Sequence, residues 1–299
     1  MMTALERLRA AGRLSEDVEL GPLTTYRVGG PARYVVTIDS EQDLRDALEV
    51  AQRGGLPVFP LGRGSNVLVA DAGFAGVVMR AGSGLSHRTI GEELVAGAAV
   101  PLPLLARESA RAGRGGLEFY SAIPGSVGGA VRMNAGCHGT ETRDVLVSAR
   151  VFDGVRGTIL DCTPDDLELA YRHSNLNDLS FVIEARFSTF NRSAAEAEQA
   201  IKEVTRWRRD HHPGGTLNAG SAFKNPAGDS AGRIIDSLGL KGLRSGAAEV
   251  SHRHANFFVA DEGATAQDVY LLFIEVQRRV RDATGIELEP EIRFLGDFS

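Results

Sequence analysis

Apolar residues recur at helical spacing in several stretches of the chain. Leu5 to Leu14 reads as a short amphipathic helix. Ser40 caps a helix that runs to about Gln52, with Leu44, Ala47, Leu48 and Ala51 on one face and Gly54-Gly55 ending it. Leu102 to Ala112, Ala194 to Arg209 and Ser230 to Leu238 follow the same period. Thr265 with Asp268 three residues later opens a last helix, striped by Val269, Leu272, Phe273, Val276 and Val280. Between these lie short apolar runs that predict strands: Arg33 to Ile38, Val58 to Leu61, Val67 to Val69, Phe181 to Phe187 and Phe257 to Ala260. Val145 to Val151 and Gly157 to Leu160 form a hairpin, and Gly76 to Val100 alternates like the strands of a new sheet. Asp165 to Ala170 reads as a helical turn, and Glu287 to Phe294 as an alternating strand that Pro290 confines to an edge. The class is α+β.

At 299 residues the chain exceeds the usual single-core size, so two or three domains are expected, and Pro213-Gly214-Gly215 is a plausible boundary. The balance of 33 basic against 39 acidic side chains, net −6, argues against nucleic-acid binding. Cys137 and Cys162 cannot make a zinc site alone and do not resemble a disulfide framework, which suits free thiols in a reducing cytoplasm. The first residues carry charges without an apolar run, and no stretch approaches the length of a membrane span, so a soluble, unexported protein is expected.

The chemistry concentrates in turns. Ile123 to Gly139 holds five glycines in seventeen residues, with Pro124 at its start and Asn134 inside it. Gly125 and Gly128-Gly129 permit turns or positive φ and a thin wall against a flat or phosphorylated ligand, although an ordinary multi-turn loop has the same composition. Gly62-Arg63-Gly64-Ser65-Asn66 follows a strand, where backbone N–H groups can hold phosphate oxygens; Val67 stands where a dinucleotide fingerprint needs its third glycine, so a plain turn is the competing reading. The run Arg206, Arg208, Arg209, His211 and His212 is either an anion site or a solvated helix end, and no carboxylate or cysteine stands at ligand spacing for a metal. Ser221, Lys224 and Asn225 sit between turn residues, as a site or as a capped turn before a helix.

The order of these segments carries more than any one of them. TTYRVGGPA, LGRGSNVLVAD, IPGSVGGAVRMNAG, YRHS, AGSAFKNP, SHRHANFFV and LEPEIRFLG, from Thr24 to Gly296, closely resemble the UDP-N-acetylenolpyruvoylglucosamine reductase (MurB) family. The resemblance implies an FAD-binding domain of the vanillyl-alcohol-oxidase type in two subdomains, residues 1–80 and 81–212, with residues 287–299 returning near the active site, and a third, substrate-binding domain at 213–286. It implies that Tyr26, Arg27, Gly62, Gly64, Ser65 and Asn66 lie along the FAD pyrophosphate. Gly125, Ser126, Gly128, Gly129 and Asn134 would line the flavin. Arg172 falls on the arginine that contacts the substrate carboxylate, Ser221 on the proton donor and Glu291 on the catalytic glutamate, with Tyr171, Lys224 and Asn225 in the substrate site. Ala122 stands where the family commonly has glycine, and Cys137-His138 where it has a small or aromatic residue. The run from Tyr171 to Phe187 lacks the insertion that forms a tyrosine lid in one branch, so this chain is similar to the shorter, second type.

The implied activity is NADPH-dependent, FAD-mediated reduction of UDP-N-acetylglucosamine enolpyruvate to UDP-N-acetylmuramate in cytoplasmic peptidoglycan precursor synthesis, with small-molecule partners, no metal, no membrane, no nucleic acid and no obligate protein partner. Hydride passes from flavin N5 to the enolpyruvyl β-carbon and a proton from Ser221 to the α-carbon. An always-charged, planar guanidinium such as Arg172 stabilises the enolate through its carboxylate. An ionised Glu291 would repel that enolate, so it is expected protonated or bridged to a cation such as Lys224, with its pKa displaced from that of a free glutamate. Another FAD-dependent alcohol or hydroxy-acid oxidoreductase of the same fold, or a non-catalytic sugar-nucleotide binder, are the alternatives.

Overall fold

The computed structural model describes residues 2–299 and separates into two compact units. The first comprises the chain up to Asp17, Arg33–Arg63 and Gly76–Arg208; the second comprises Val18–Ala32, Gly64–Ala75 and Arg209–Ser299.

In the first unit a four-stranded sheet runs in the order Leu14–Glu19, Pro31–Ile38, Phe74–Ala81, Val58–Pro60. Val58–Pro60 lies parallel to Phe74–Ala81, with Pro60 level with Met79. The helix Glu41–Gly54 closes over it: the Ser40 hydroxyl and the Asp43 carboxylate cap each other's backbone at its start, and Gly55 at φ 60° ends it. Leu44, Ala47, Val36, Ile38, Val77 and Met79 share its core, since the helical face and the inward face of the strands present apolar groups at matching periods. The helix expected over Leu5 to Leu14 is Ala4–Ala10; Gly12 takes φ 65° and turns the chain into the strand Leu14–Glu19, whose largely exposed residues show no alternation from which a strand could be read.

A second, antiparallel sheet in this unit has the order Thr158–Cys162, Leu146–Asp153, Ser180–Ser188, Glu93–Gly97, Arg88–Ile90. Leu102, Leu105, Val127, Val131, Ala185 and Phe187 build its core with the helices Leu102–Arg111 and Val127–Met133. The expected helical turn at Asp165 to Ala170 is a hydrogen-bonded turn only, interrupted by Glu168 at φ 49°.

In the second unit, Arg244–Ser245, Ala248–Val250 and Phe258–Ala260 form an antiparallel sheet against the helix Ala266–Thr284. Phe223, Phe258 and Phe273 meet there with ring centroids 4.7 to 5.7 Å apart. The C-terminal strand is only Arg293–Leu295, parallel to Val67–Val69. Before it, Pro290 faces Phe223 in an antiparallel bridge, with Lys224 N–H donating to Glu289 and Glu291 N–H to Ala222. At that rung the Pro290 nitrogen faces away from Phe223, so the missing N–H leaves this pairing intact.

Candidate functional site

The first half of the glycine-rich stretch uses none of the positive φ that its glycines permit. Ser126 caps a helix, Val127–Met133, and Gly125, Gly128 and Gly129 all keep ordinary negative or extended backbone. Their value is thinness. A Cβ on Gly128 would stand 3.0 Å from the Ala98 Cβ, and one on Gly62 3.1 Å from the Ser126 hydroxyl. Backbone bonds from Val127 N–H to Val100 and from Gly128 N–H to Ala98 seat this wall against the chain before it. The result is an open cleft in the first unit, lined by Leu61, Gly62, Ala98, Ser126, Gly128 and Phe181 among others. Side chains in place of these glycines would crowd that cleft, so the residues fit the flat flavin expected there. Arg132 also lines the cleft, ion-paired to Asp178 at 2.6 Å.

Asn134 stands behind the wall. It is fully buried at φ 41°, its amide donating to Glu141 (2.9 Å) and the Ala170 carbonyl (2.8 Å) and accepting from Arg143 N–H (2.9 Å). With donors and acceptor committed to protein, its work is to hold the wall rather than to face a ligand. Ala170 and His173 exchange backbone hydrogen bonds, which puts Tyr171 and Arg172 at the tip of a tight turn, Arg172 at φ 52°. The Arg172 guanidinium donates to the Gly136 carbonyl at 2.9 Å, lies 3.8 Å from Glu141 and 5.1 Å from the centre of the half-exposed Tyr171 ring. Glu141 therefore joins Asn134 to Arg172, a link between distant segments that no local pattern announces. Nearby, Cys137 donates its Sγ–H to the Phe119 carbonyl. Burial pushes its thiol up to about 11 against the opposing pull of Arg208 and Arg172.

In the second unit, Gly64 is required by its backbone: at φ 65° a Cβ would come within 2.2 Å of the Leu23 carbonyl oxygen. Thr25 N–H donates to Gly64, tying the Thr24–Ala32 turn to the start of the strand Val67–Val69. Ser65 is half-buried. Arg27 is exposed at φ 60° and donates to the Pro22 carbonyl at 2.8 Å. Tyr26 is fully buried; its hydroxyl lies near the Ala219 backbone without reaching hydrogen-bond geometry, and burial raises its phenol well above the ordinary range. The Asn66 amide donates to the Glu291 carbonyl at 3.0 Å, fastening that segment rather than pointing outward.

Ser221, Lys224 and Glu291 do come together on one scaffold. The extended run Ser221 to Lys224 lies between two neighbours. On one side Ser221 bridges Phe257, while the buried Asn256 side chain accepts from Phe223 N–H (2.9 Å) and donates to its carbonyl (2.8 Å). On the other side are Glu289 to Glu291, with the Lys224 ammonium 2.5 Å from Glu289, directly across its rung. Asn225 turns its side-chain oxygen to Ala231 N–H at the start of the helix Ala231–Ser237. Asn256 was visible only as part of a polar segment before a strand; its clamp on Phe223 depends on a contact 33 residues away.

Known proteins match in the same places. Residues 32–163 match an FAD binding domain, and residues 212–295 match the C-terminal domain of UDP-N-acetylenolpyruvoylglucosamine reductase. The reductase of Acidiphilium cryptum is 43% identical, with 95% of this chain and 92% of that one covered, and the reductase of Rubrobacter xylanophilus is 41% identical with 98% of each covered. The crystal structure of the reductase (MurB) from Thermus caldophilus superposes with a TM-score of 0.82 at 38% identity, covering 95% of this chain and 99% of that one. With relatives this similar along almost the full length, the chain belongs to the UDP-N-acetylenolpyruvoylglucosamine reductase family.

Proposed function

We infer that this chain is the FAD-containing oxidoreductase that reduces UDP-N-acetylglucosamine enolpyruvate to UDP-N-acetylmuramate with NADPH, in peptidoglycan precursor synthesis. The observation that carries the reading beyond family membership is the clamped segment Ser221 to Lys224, which holds a hydroxyl donor one residue from the backbone rung occupied by Glu291. FAD, when bound, supplies the hydride that saturates the enolpyruvyl double bond at its β-carbon.

Arg172 binds the substrate carboxylate. Its bond to the Gly136 carbonyl and its proximity to Glu141 fix the fork before substrate arrives, so the negative charge that grows on the enolate meets a cation already in place. Ser221 gives its hydroxyl proton to the α-carbon; an alcohol is a weak acid, but an enolate carbon is a strong base and needs the hydroxyl only within reach. Glu291 supports that transfer, and its contribution requires that it be protonated or offset by a cation. Tyr171, Lys224 and Asn225 bind the sugar nucleotide. Gly62, Gly64, Ser65, Tyr26, Arg27 and Asn66 form or support the FAD pyrophosphate region, and Gly125, Ser126, Gly128, Gly129 and Asn134 form or support the flavin wall. The division into FAD-binding parts 1–80 and 81–212 and a substrate part 213–286, the shorter branch without a tyrosine lid, the cytoplasmic setting and the restriction to small-molecule partners belong to the same proposal. Among the described residues no helix is long and apolar enough to cross a membrane.

The test is NADPH oxidation by the purified yellow protein with and without UDP-N-acetylglucosamine enolpyruvate. Oxidation that depends on this substrate and yields UDP-N-acetylmuramate is expected. Equal rates with and without it, or a preference for a simple alcohol or hydroxy acid, would overturn the reading.

A further inference from the structure

We propose that Arg80 is a counter-charge for the diphosphate of FAD, a role that neither glycine-rich turn indicates. Arg80 is the second-last residue of the strand Phe74–Ala81. Because Pro60 is level with Met79 and Leu61 N–H donates to the Met79 carbonyl, Arg80 and Ala81 come level with Leu61 and Gly62, where the neighbouring strand runs out into its glycine turn. This is the carboxyl end of two parallel strands, the edge at which open α/β sheets take their ligands.

The Arg80 Nε–H is sealed from solvent and has no hydrogen-bond partner among the described residues. A guanidinium carries its charge at any pH the protein meets, so a buried N–H of this kind costs folding free energy unless an acceptor arrives. Elsewhere the chain provides that acceptor: Arg7 has Asp46, Arg88 has Glu108, Arg132 has Asp178 and Arg192 has Glu118. Arg80 instead has Arg63 close enough to repel it, and burial together with that repulsion lowers its affinity for its proton. Two guanidinium groups placed near one another at a strand end, one of them desolvated, form half of an electrostatic pair.

A diphosphate supplies both missing quantities, two negative charges and several oxygen acceptors that match the planar fork. NADPH and the uridine substrate carry diphosphates as well. The choice of FAD follows from position, because Arg80 stands level with Leu61, which lines the same cleft as Gly62, Ser126, Gly128 and Gly129. The inference rests on FAD binding in that cleft and does not depend on which substrate is reduced.

The experiment compares apoprotein of the wild type, Arg80→Met and Arg80→Lys, titrated with FAD and with riboflavin, which lacks phosphate, while flavin fluorescence is followed; each apoprotein is also melted. Arg80→Met is expected to weaken FAD about 10- to 100-fold, the range of a lost charge-assisted hydrogen bond, and to leave riboflavin affinity within about twofold. Its apoprotein should melt at or above the wild-type temperature, since an uncompensated charge has gone. Arg80→Lys should fall between the two for FAD. Unchanged FAD affinity, equal weakening of FAD and riboflavin, or a lower apoprotein melting temperature would each overturn the proposal. So would a loss confined to NADP⁺ or UDP binding by the FAD-loaded variant. None of these results touches the reductase assay at saturating FAD, so the two readings fail separately.

Discussion

Two side chains show how far a residue's type predicts its work. Ser221 was legible as a candidate because a hydroxyl, a cation and an amide crowd between turn residues, and the structure holds it on a run clamped by Asn256. Ser221→Ala should leave NADPH-driven flavin reduction unchanged and slow reoxidation by the enolpyruvyl substrate by about 10² to 10⁴-fold, the usual contribution of a placed general acid. Stopped-flow absorbance resolves the two half-reactions, and a second half-reaction at near-normal speed would remove Ser221 as donor. Cys137 illustrates the opposite case. A thiol in the glycine-rich stretch is reactive only as thiolate, and burial pushes the Cys137 thiol up to about 11. Mass-resolved iodoacetamide labelling of native protein should therefore leave Cys137 largely unmodified at pH 8.5, while urea-unfolded protein reacts readily; rapid native labelling would contradict the burial.

At the level of elements, periodicity sufficed wherever an apolar face repeats. The helix Ala266–Thr284 was readable from its stripe and from Thr265 with Asp268, and its box is present. Its second cap was not readable, because Asp71 accepts from Ala266 and Gln267 N–H across 195 residues of chain. A carboxylate there also complements the positive end of the helix dipole. Asp71→Ala should cost about 1 kcal/mol, typical of a lost N-cap, seen as a lower urea midpoint with an unchanged slope; no change would mean that the Thr265 box suffices. The glycine-rich wall marks the limit of composition: the same glycines serve a left-handed loop or a thin helix, and Ala98, the neighbour that a Cβ at Gly128 would crowd at 3.0 Å, lies in another segment.

For the molecule as a whole, acid stability depends on pairs that join elements. Arg7 on the first helix grips Asp46 on the helix Glu41–Gly54, with Nη2 at 2.5 Å and Nε at 3.0 Å from its carboxylate oxygens. Burial opposes the ionisation of Asp46, but Arg7 and the Gln42 amide outweigh it and hold the carboxyl below its ordinary value of 3.8. A carboxyl whose folded pKa is depressed stabilises the fold above its unfolded pKa, and that contribution disappears as pH falls below about 4. Because the Arg7 side chain is 37% exposed, solvent screening keeps the effect of Asp46→Asn to about 1 kcal/mol at pH 7, and the difference from wild type should vanish near pH 2. A difference that persisted there would point to packing instead of charge. Family and element pattern were legible because motif order and apolar period are properties of neighbouring residues, and both survive without knowledge of the fold. The partners were not: that Asn134 faces inward to Glu141 and Arg143, that Lys224 meets Glu289, that Pro290 sits on a rung needing no N–H, and that Arg80 lacks an acceptor. Each depends on segments far apart in the chain being packed to within a hydrogen bond's length, and distance in sequence carries no record of that approach.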